Sequence, residues 1–151
     1  MAFEQLKRIL MVEDDVDIQT VARLSLEAVG GYVVEICSGG YEALGRVKDF
    51  APDLVLLDVM MPDMDGPTVL QNLRADSQTS SLPVVFMTAK AQAHEVASYK
   101  AMGGLAVVSK PFDPMLLPAT LAHIWQQYQE QGDGGAADLS KSELGRGGEM
   151  A

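Results

Sequence analysis

The chain is poor in cysteine, in positive charge and in long apolar runs, and each shortage excludes something. Cys37 is the single cysteine among 151 residues, so no disulfide can close within the chain and nothing indicates an oxidising compartment. It lies in an apolar segment, which points to an inert core thiol rather than a reactive one. Lys and Arg number 11 against 21 Asp and Glu, a formal net charge of −10. Nucleic acids and anionic membrane surfaces both call for clustered positive charge, so neither is the expected partner. No apolar stretch approaches the roughly 20 residues of a membrane span. The opening residues Met1-Ala2-Phe3-Glu4-Gln5 lack the basic start and apolar run of a secretory signal, and the cytoplasm is the expected location. What is present, 48% apolar and 21% charged residues, is the profile of an ordinary globular domain of a length suited to one core.

Apolar runs of strand length recur along the chain, separated by stretches of helical period. Ile9-Leu10-Met11-Val12 stops at Glu13-Asp14-Asp15. Ile18, Val21, Ala22, Leu26 and Val29 then fall on one helical stripe, ended by Gly30-Gly31, where glycine suits a left-handed turn. Tyr32 to Cys37 reads as a strand, and Ser38 can cap a helix to about Phe50 with Ala43, Leu44 and Val47 inward. Asp53-Leu54-Val55-Leu56-Leu57-Asp58 carries four apolar residues without alternation, the mark of a strand covered on both faces. A loop from Val59 to Gly66 leads to a helix with Val69, Leu70 and Leu73. Pro83 to Thr88 is another buried strand, Ala91 to Met102 a helix stopped by Gly103-Gly104, and Leu105 to Ser109 a fifth strand. Asp113-Pro114 is a helix start, after which Leu117, Leu121, Ile124, Trp125 and Tyr128 can face the core.

Five strands alternating with five helices imply an α/β fold, a doubly wound parallel sheet with helices on both faces. From about Gly132 the composition turns glycine-rich and polar, so the domain is expected over 1–131 and a flexible tail over 132–151. Such a tail is too short and polar to fold alone, and no output domain, DNA-binding or otherwise, is expected in this chain.

In open parallel sheets, ligands bind beyond the carboxyl ends of the strands, where the strand order reverses. Strand 1 ends in Glu13-Asp14, strand 3 in Asp58, strand 4 in Thr88 and strand 5 in Ser109-Lys110; strand 2 ends in Cys37-Ser38 with nothing ionisable. Five βα units permit several strand orders, but in the order 2-1-3-4-5 the acids of strands 1 and 3 are neighbours and Thr88 and Lys110 flank them. Carboxylates gathered in one crevice repel unless a cation is present, and hard oxygen ligands suit Mg²⁺ shared with a phosphate. Lys110 can set an ammonium on a phosphoryl oxygen and Thr88 can donate its hydroxyl. These parts suit phosphoryl transfer to a carboxylate. Taken singly, each has a blander reading: Glu13-Asp14-Asp15 as a solvated loop with a helix cap, Asp58 as a turn or helix cap, Thr88 as a strand residue with a satisfied hydroxyl, Lys110 as a surface lysine. Met60, Met61 and Met64 read as packing or loop residues, and His94 and His123 as helix residues without ligand partners. The chemical reading rests on joint placement.

With these residues in view, the sequence resembles the response-regulator receiver domains, of the single-domain, chemotaxis-regulator-like kind. Ile9 to Asp15 looks like their first strand and acidic pocket, Asp58-Val59-Met60-Met61-Pro62-Asp63-Met64-Asp65-Gly66 like the loop after their phosphorylated Asp, and Thr88-Ala89 and Lys110-Pro111-Phe112 like the two remaining motifs. Thr88 lies 30 and Lys110 52 residues after Asp58, which fits the family, and the likeness spans about residues 7–130. It implies a flavodoxin-like sheet of order 2-1-3-4-5. It implies Asp58 as phospho-acceptor; Glu13, Asp14, Asp58 and the Met60 backbone carbonyl as Mg²⁺ ligands; Thr88 and Lys110 on the phosphoryl group; a small Ala89 leaving it room; and a cis Lys110–Pro111 bond. It further implies a phosphorelay switch rather than an enzyme, one that assists its own phosphorylation and dephosphorylation. A histidine kinase or phosphotransfer protein would be the donor and a downstream protein the target, with a monomer and a phosphorylation-dependent homodimer both open.

One position departs from the pattern. The family often carries Tyr or Phe three residues before the lysine, and here that position is Val107, so an aromatic flip there cannot carry the signal. Two other readings stay open at this point. An aspartyl-nucleophile phosphohydrolase shares much of the chemistry, but usually has a second Asp two residues after the nucleophile, where this chain has Met60. A non-phosphorylated interaction module is the other, with the five intact polar residues against it.

Overall fold

The computed structural model describes residues 4–132. The expected tail over 132–151 lies, apart from Gly132, outside the described residues. Five parallel strands, β1 (Arg8–Val12), β2 (Val33–Cys37), β3 (Leu54–Asp58), β4 (Val84–Thr88) and β5 (Ala106–Ser109), form one sheet in the order β2-β1-β3-β4-β5. The helices are α1 (Val16–Arg23), α2 (Gly40–Phe50), α3 (Gly66–Ala75), α4 (Ala93–Ala101) and α5 (Leu117–Gly132). This is the doubly wound α/β fold, with the strand order that the resemblance implies. Among the described residues no helix is long and apolar enough to cross a membrane.

The unbroken apolar runs of β3 and β4 are buried at every position, because helices cover both faces of the sheet. Successive side chains point to opposite faces, and the core divides accordingly. Leu10, Val55, Leu57, Val84 and Phe86 pack under Val47 of α2 and Val69 and Leu73 of α3. Ile9, Met11, Leu54, Leu56, Val85 and Met87 pack on the other face under Ala22, Leu121 and Trp125. The Trp125 indole N–H donates to the Glu4 carbonyl at 2.7 Å, which closes the amino-terminal edge of the sheet, remote from the strand ends that carry the polar motifs. Cys37 is fully buried and its thiol is pushed up to about 12, by burial first and by Glu42 and Glu35 second, in keeping with an inert core thiol.

Three expectations shift in the structure. The stripe expected for the first helix breaks because α1 runs on as a π-helix over Leu24–Val29, where Gly30 N–H donates to the Ser25 carbonyl at 3.0 Å. The wider i→i+5 turn rotates Ser25 and Leu26 inward and leaves Val29 half exposed. Val21, also partly exposed, lines a cleft with Ile18 and Phe112 instead of the core. The chain then turns at Gly31 with φ of 75°, a region that glycine enters without steric cost. Ser38 does not cap α2. Gly39 is the N-cap, and the Asp63 carboxylate accepts the N–H groups of Gly40 and Tyr41, each at 3.2 Å. Asp113 does take up the capping role before α5, accepting Met115 N–H at 2.9 Å, although the regular helix begins only at Leu117.

Leu56 lies at the centre of the most deeply covered strand. Leu56→Ala is expected to lower the free energy of unfolding by about 2–5 kcal/mol, read as a lower urea midpoint with an unchanged slope.

Candidate functional site

The sheet order makes β1 and β3 neighbours, with Val12 opposite Leu57 in register. One step further along stand Glu13, just past the end of β1, and Asp58, the last residue of β3 and still paired with Met87 of β4. Backbone bonds hold the chain beyond the ladder: Glu13 N–H donates to the Cys37 carbonyl at 2.9 Å, Val59 N–H to Met87 at 3.0 Å, and Lys110 N–H to Thr88 at 2.9 Å. Register therefore delivers residues from four strand ends to one crevice at the reversal of strand order.

In that crevice Glu13, Asp14 and Asp58 each bring a carboxylate oxygen within 4.8 Å of the others. The Lys110 Nζ donates to Glu13 Oε1 at 3.0 Å and to Asp58 Oδ1 at 3.2 Å. Glu13 and Asp58 are only 1% and 4% exposed, whereas Asp14 is exposed. The second Glu13 oxygen accepts Asp15 N–H at 3.0 Å. Asp15 itself turns away to cap α1, accepting Asp17 and Ile18 N–H. The Glu13-Asp14-Asp15 run thus divides: its first two acids enter the crevice and the third has the capping role of the blander reading.

Burial sets the electrostatics. Desolvation pushes the Asp58 carboxyl above the usual range, more than the charge and hydrogen bond of Lys110 and the Met60 backbone N–H pull it down. Glu13 is raised for the same first reason, with Asp15 N–H and Lys110 opposing and the Asp58 charge adding. Burial alone would lower Lys110, but its bond to Glu13 and the charges of Asp58 and Glu13 outweigh that, and it stays firmly protonated. Three carboxylates around one ammonium leave net negative charge in a half-closed space, and a hard divalent cation answers it.

Thr88 ends β4, is 4% exposed, and its Oγ accepts Lys90 N–H at 3.0 Å, which leaves the hydroxyl proton free to donate. It stands one residue past Met87, the register partner of Asp58. Ala89 is exposed next to it. The Lys110–Pro111 bond is cis, as the resemblance implies. Met60 is 70% exposed, while Met61 is buried in the core and Met64 packs against it. The loop closes at Gly66, whose N–H donates to the Val59 carbonyl at 2.8 Å; a Cβ there would stand 2.7 Å from the Asp58 carbonyl oxygen. His94 and His123 lie exposed on α4 and α5.

Some supporting residues give no signal in the sequence. The Gln19 amide donates to the Glu13 carbonyl at 2.5 Å and to Ser38 Oγ at 3.2 Å, pinning the ends of β1 and β2 together. Ser25 Oγ donates to the Pro114 carbonyl at 2.5 Å and ties the first helix to the segment after Lys110. The first is an ordinary polar residue on a helix, and the second faces inward only through the π-helical turn, so neither stands out by type or spacing.

Fold and site together define a doubly wound α/β domain with an acidic, lysine-bridged crevice at its switch point. A family model described as the response regulator receiver domain matches residues 9–122, and the chain belongs to that family. It is 33% identical over 136 residues to the response regulator Rre1 of Synechocystis, covering 90% of this chain and 59% of that protein. It is 37% identical over 113 residues to the DNA-binding response regulator MtrA of Mycobacterium tuberculosis, covering 75% and 48%. The chain therefore spans about half of the length of the curated relatives it matches. Among solved structures, the chemotaxis response regulator CheY4 of Vibrio cholerae superposes with a TM-score of 0.73 at 29% identity, over 80% of this chain and 99% of that one. The signal receiver domain of a histidine kinase from Syntrophus aciditrophicus gives 0.70 at 26% identity, over 80% and 91%. The chain is thus a receiver domain of two-component signalling, a class that interacts with histidine kinases or phosphotransfer proteins and binds Mg²⁺ at its acidic pocket.

The raised Asp58 pKa has a consequence for stability. A carboxyl whose folded pKa lies above its unfolded one penalises folding when ionised; the penalty is present above the folded pKa and absent below the unfolded value of about 4. Without metal, Asp58→Asn is expected to raise Tm at pH 7. The gain should vanish as the pH falls below about 4, in thermal melts of both proteins across that range.

Proposed function

We propose that Asp58 is the residue that takes the phosphoryl group, and that Glu13, Asp14, Asp58 and the Met60 backbone carbonyl hold Mg²⁺ beside it. The observation that carries this reading is the Lys110 ammonium lying 3.2 Å from Asp58 Oδ1 and 3.0 Å from Glu13 Oε1, a cation set at the acceptor oxygen. The donor set of clustered carboxylates fits a hard divalent ion, which when bound neutralises charge on the phosphoryl oxygens.

The chemistry of the chain's own groups follows from their places. An Asp58 carboxylate oxygen attacks phosphorus as the bond from phosphorus to the donor imidazole nitrogen breaks, its electron pair remaining on that nitrogen. Lys110 then shifts its hydrogen bonding from the carboxylate to a phosphoryl oxygen. The Thr88 hydroxyl, oriented by Lys90 N–H, donates to another. Positioning and charge neutralisation supply the acceleration. Burial raises the affinity of the Asp58 carboxyl for a proton, which makes its carboxylate more basic than a solvated one. The same groups can orient a water to attack phosphorus as the bond from phosphorus to the Asp58 oxygen breaks, which restores the carboxylate and releases inorganic phosphate, so the domain assists both its own phosphorylation and its dephosphorylation. A phosphohistidine on a kinase or phosphotransfer protein is the donor in this reading, a protein partner the target, and the cytoplasm the location.

Acetyl phosphate with Mg²⁺ is expected to add one phosphoryl mass to the wild type and none to Asp58→Asn, by intact-protein mass spectrometry. Equal labelling of both would sink the assignment, and no labelling of the wild type would favour a pure interaction module. Lys110→Ala should retain the acceptor but slow labelling on the order of 10²-fold, the usual cost of removing one preorganised charge-stabilising donor.

A further inference from the structure

A groove of about 720 Å³ runs between the loop that follows Asp58 and helix α4. Its apolar wall is Met60, Met61, Tyr99 and Met102. Met60 is 70% and Met102 47% exposed, so two flexible thioethers stand open in one concavity. Methionine adapts its shape to what it meets, and is favoured where a surface must accept an apolar partner. Helix α4 makes the other side. None of its residues is buried; Tyr99 packs its ring against Phe86 with centroids 5.2 Å apart and planes tilted by 44°. The helix therefore keeps a face to offer to a second helix.

The charges along the groove have one sign. Asp65 and Glu95 line it, together with His94, and among the described residues no lysine or arginine does. Each acid is tied to a helix start, Asp65 accepting Thr68 N–H at 2.9 Å and Glu95 accepting Gln92 N–H at 3.0 Å, so the two charges are fixed in place. The groove is also continuous with the acidic crevice: Met60, on its rim, donates its backbone N–H to the Asp58 carboxylate.

We infer that this groove docks a short amphipathic helix of a partner protein, one with an apolar stripe for the methionines and lysine or arginine beside the stripe for Asp65 and Glu95. The α4 helix is nine residues long, or about 13 Å at 1.5 Å per residue, so two to three turns of the incoming helix fill the contact. Leucine-sized anchors at i, i+3 or i+4, and i+7 meet Met60, Tyr99 and Met102, as in other helix-in-groove contacts. This goes beyond phosphoryl transfer and holds whichever residue takes the phosphoryl group.

The test uses a fluorescein-labelled helical peptide about 14 residues long, with leucine at i, i+3, i+4 and i+7 and lysine between, and a scrambled peptide of the same composition. Binding is read by anisotropy and located by NMR of ¹³C-labelled methionine methyl groups in the full chain. The striped peptide should shift the methyls of Met60, Met61 and Met102 and leave Met115 unmoved. Met102→Glu should weaken it about tenfold or more, although the substitution adds negative charge. A contact made by charge alone would instead tighten. Acetyl-phosphate labelling of Met102→Glu at the wild-type rate shows that its fold and crevice are intact, and reports on the phosphorylation site separately. The inference is overturned if the scrambled peptide binds equally, if Met115 moves in place of Met102, or if the groove methyls shift with protein concentration alone, which would make the occupant a second copy of this chain.

Discussion

Carboxylates set below a protein surface need a cation among them, and in this chain the polypeptide supplies one in Lys110. Its ammonium contacts Glu13 and Asp58 at once, bridging the ends of β1 and β3 from the end of β5. Remove that contact and the two buried acids face each other across a narrow space with only backbone N–H groups to answer them. The contact exists because of parallel register. Side chains 97 and 52 residues apart from the lysine meet because each strand stops at the same height. The crevice is thus a property of the sheet's edge, and the apolar core beneath it fixes the heights.

This division explains how a charged site can persist in a marginally stable domain. The central strands β3 and β4 are buried on both faces along their length, so apolar contact is gained through the middle of the sheet and the electrostatic cost is confined to its carboxyl edge. Burial raises both Glu13 and Asp58 against the attraction of the lysine, so ionising these two acids carries a desolvation cost that Lys110 only partly offsets. Local rules that bend at one place, and hold elsewhere, are the pattern expected around function.

The sequence conveyed the features that depend on local pattern. Unbroken apolar runs at Leu54–Leu57 and Val84–Met87 marked covered strands, and the polar residue at each strand end marked the crevice. Glu13, Asp14, Asp58 and Lys110 meet where the joint reading placed them, and Thr88 stands one register step from Asp58. What stayed illegible depends on tertiary contact. The π-helical turn at Leu24–Val29 leaves the spacing of apolar residues looking like ordinary helix, so Val29 read as core when it is half exposed. Ser38 has the right chemistry for a helix cap, but Asp63 arrives from a distant loop and takes the N–H groups of Gly40 and Tyr41. Gln19 and Ser25 act through single hydrogen bonds to backbone carbonyls, which no spacing announces. Cap positions and loop-borne partners are settled by competition in three dimensions, and the sequence names only the competitors.

The small side chain at position 107 bears on how a change at Asp58 leaves the site. Val107 packs half-buried with Tyr99 against the core on the side of α2 and α3, and it has no ring to swing and no hydroxyl to offer. A signal needs an element that has two arrangements of similar energy. The central strands cannot provide one, since moving β3 or β4 would uncover residues that are buried at every position. Helices α2, α3 and α5 each bury several side chains, whereas α4 buries none. Segments with few buried contacts open at the least cost. The loop from Val59 to Gly66 adjoins Asp58 at one end and faces α4 across the groove at its middle. With no ring at residue 107 to turn, that loop and the lightly held helix opposite it are the elements that the proposed phosphoryl capture at Asp58 would move at least cost.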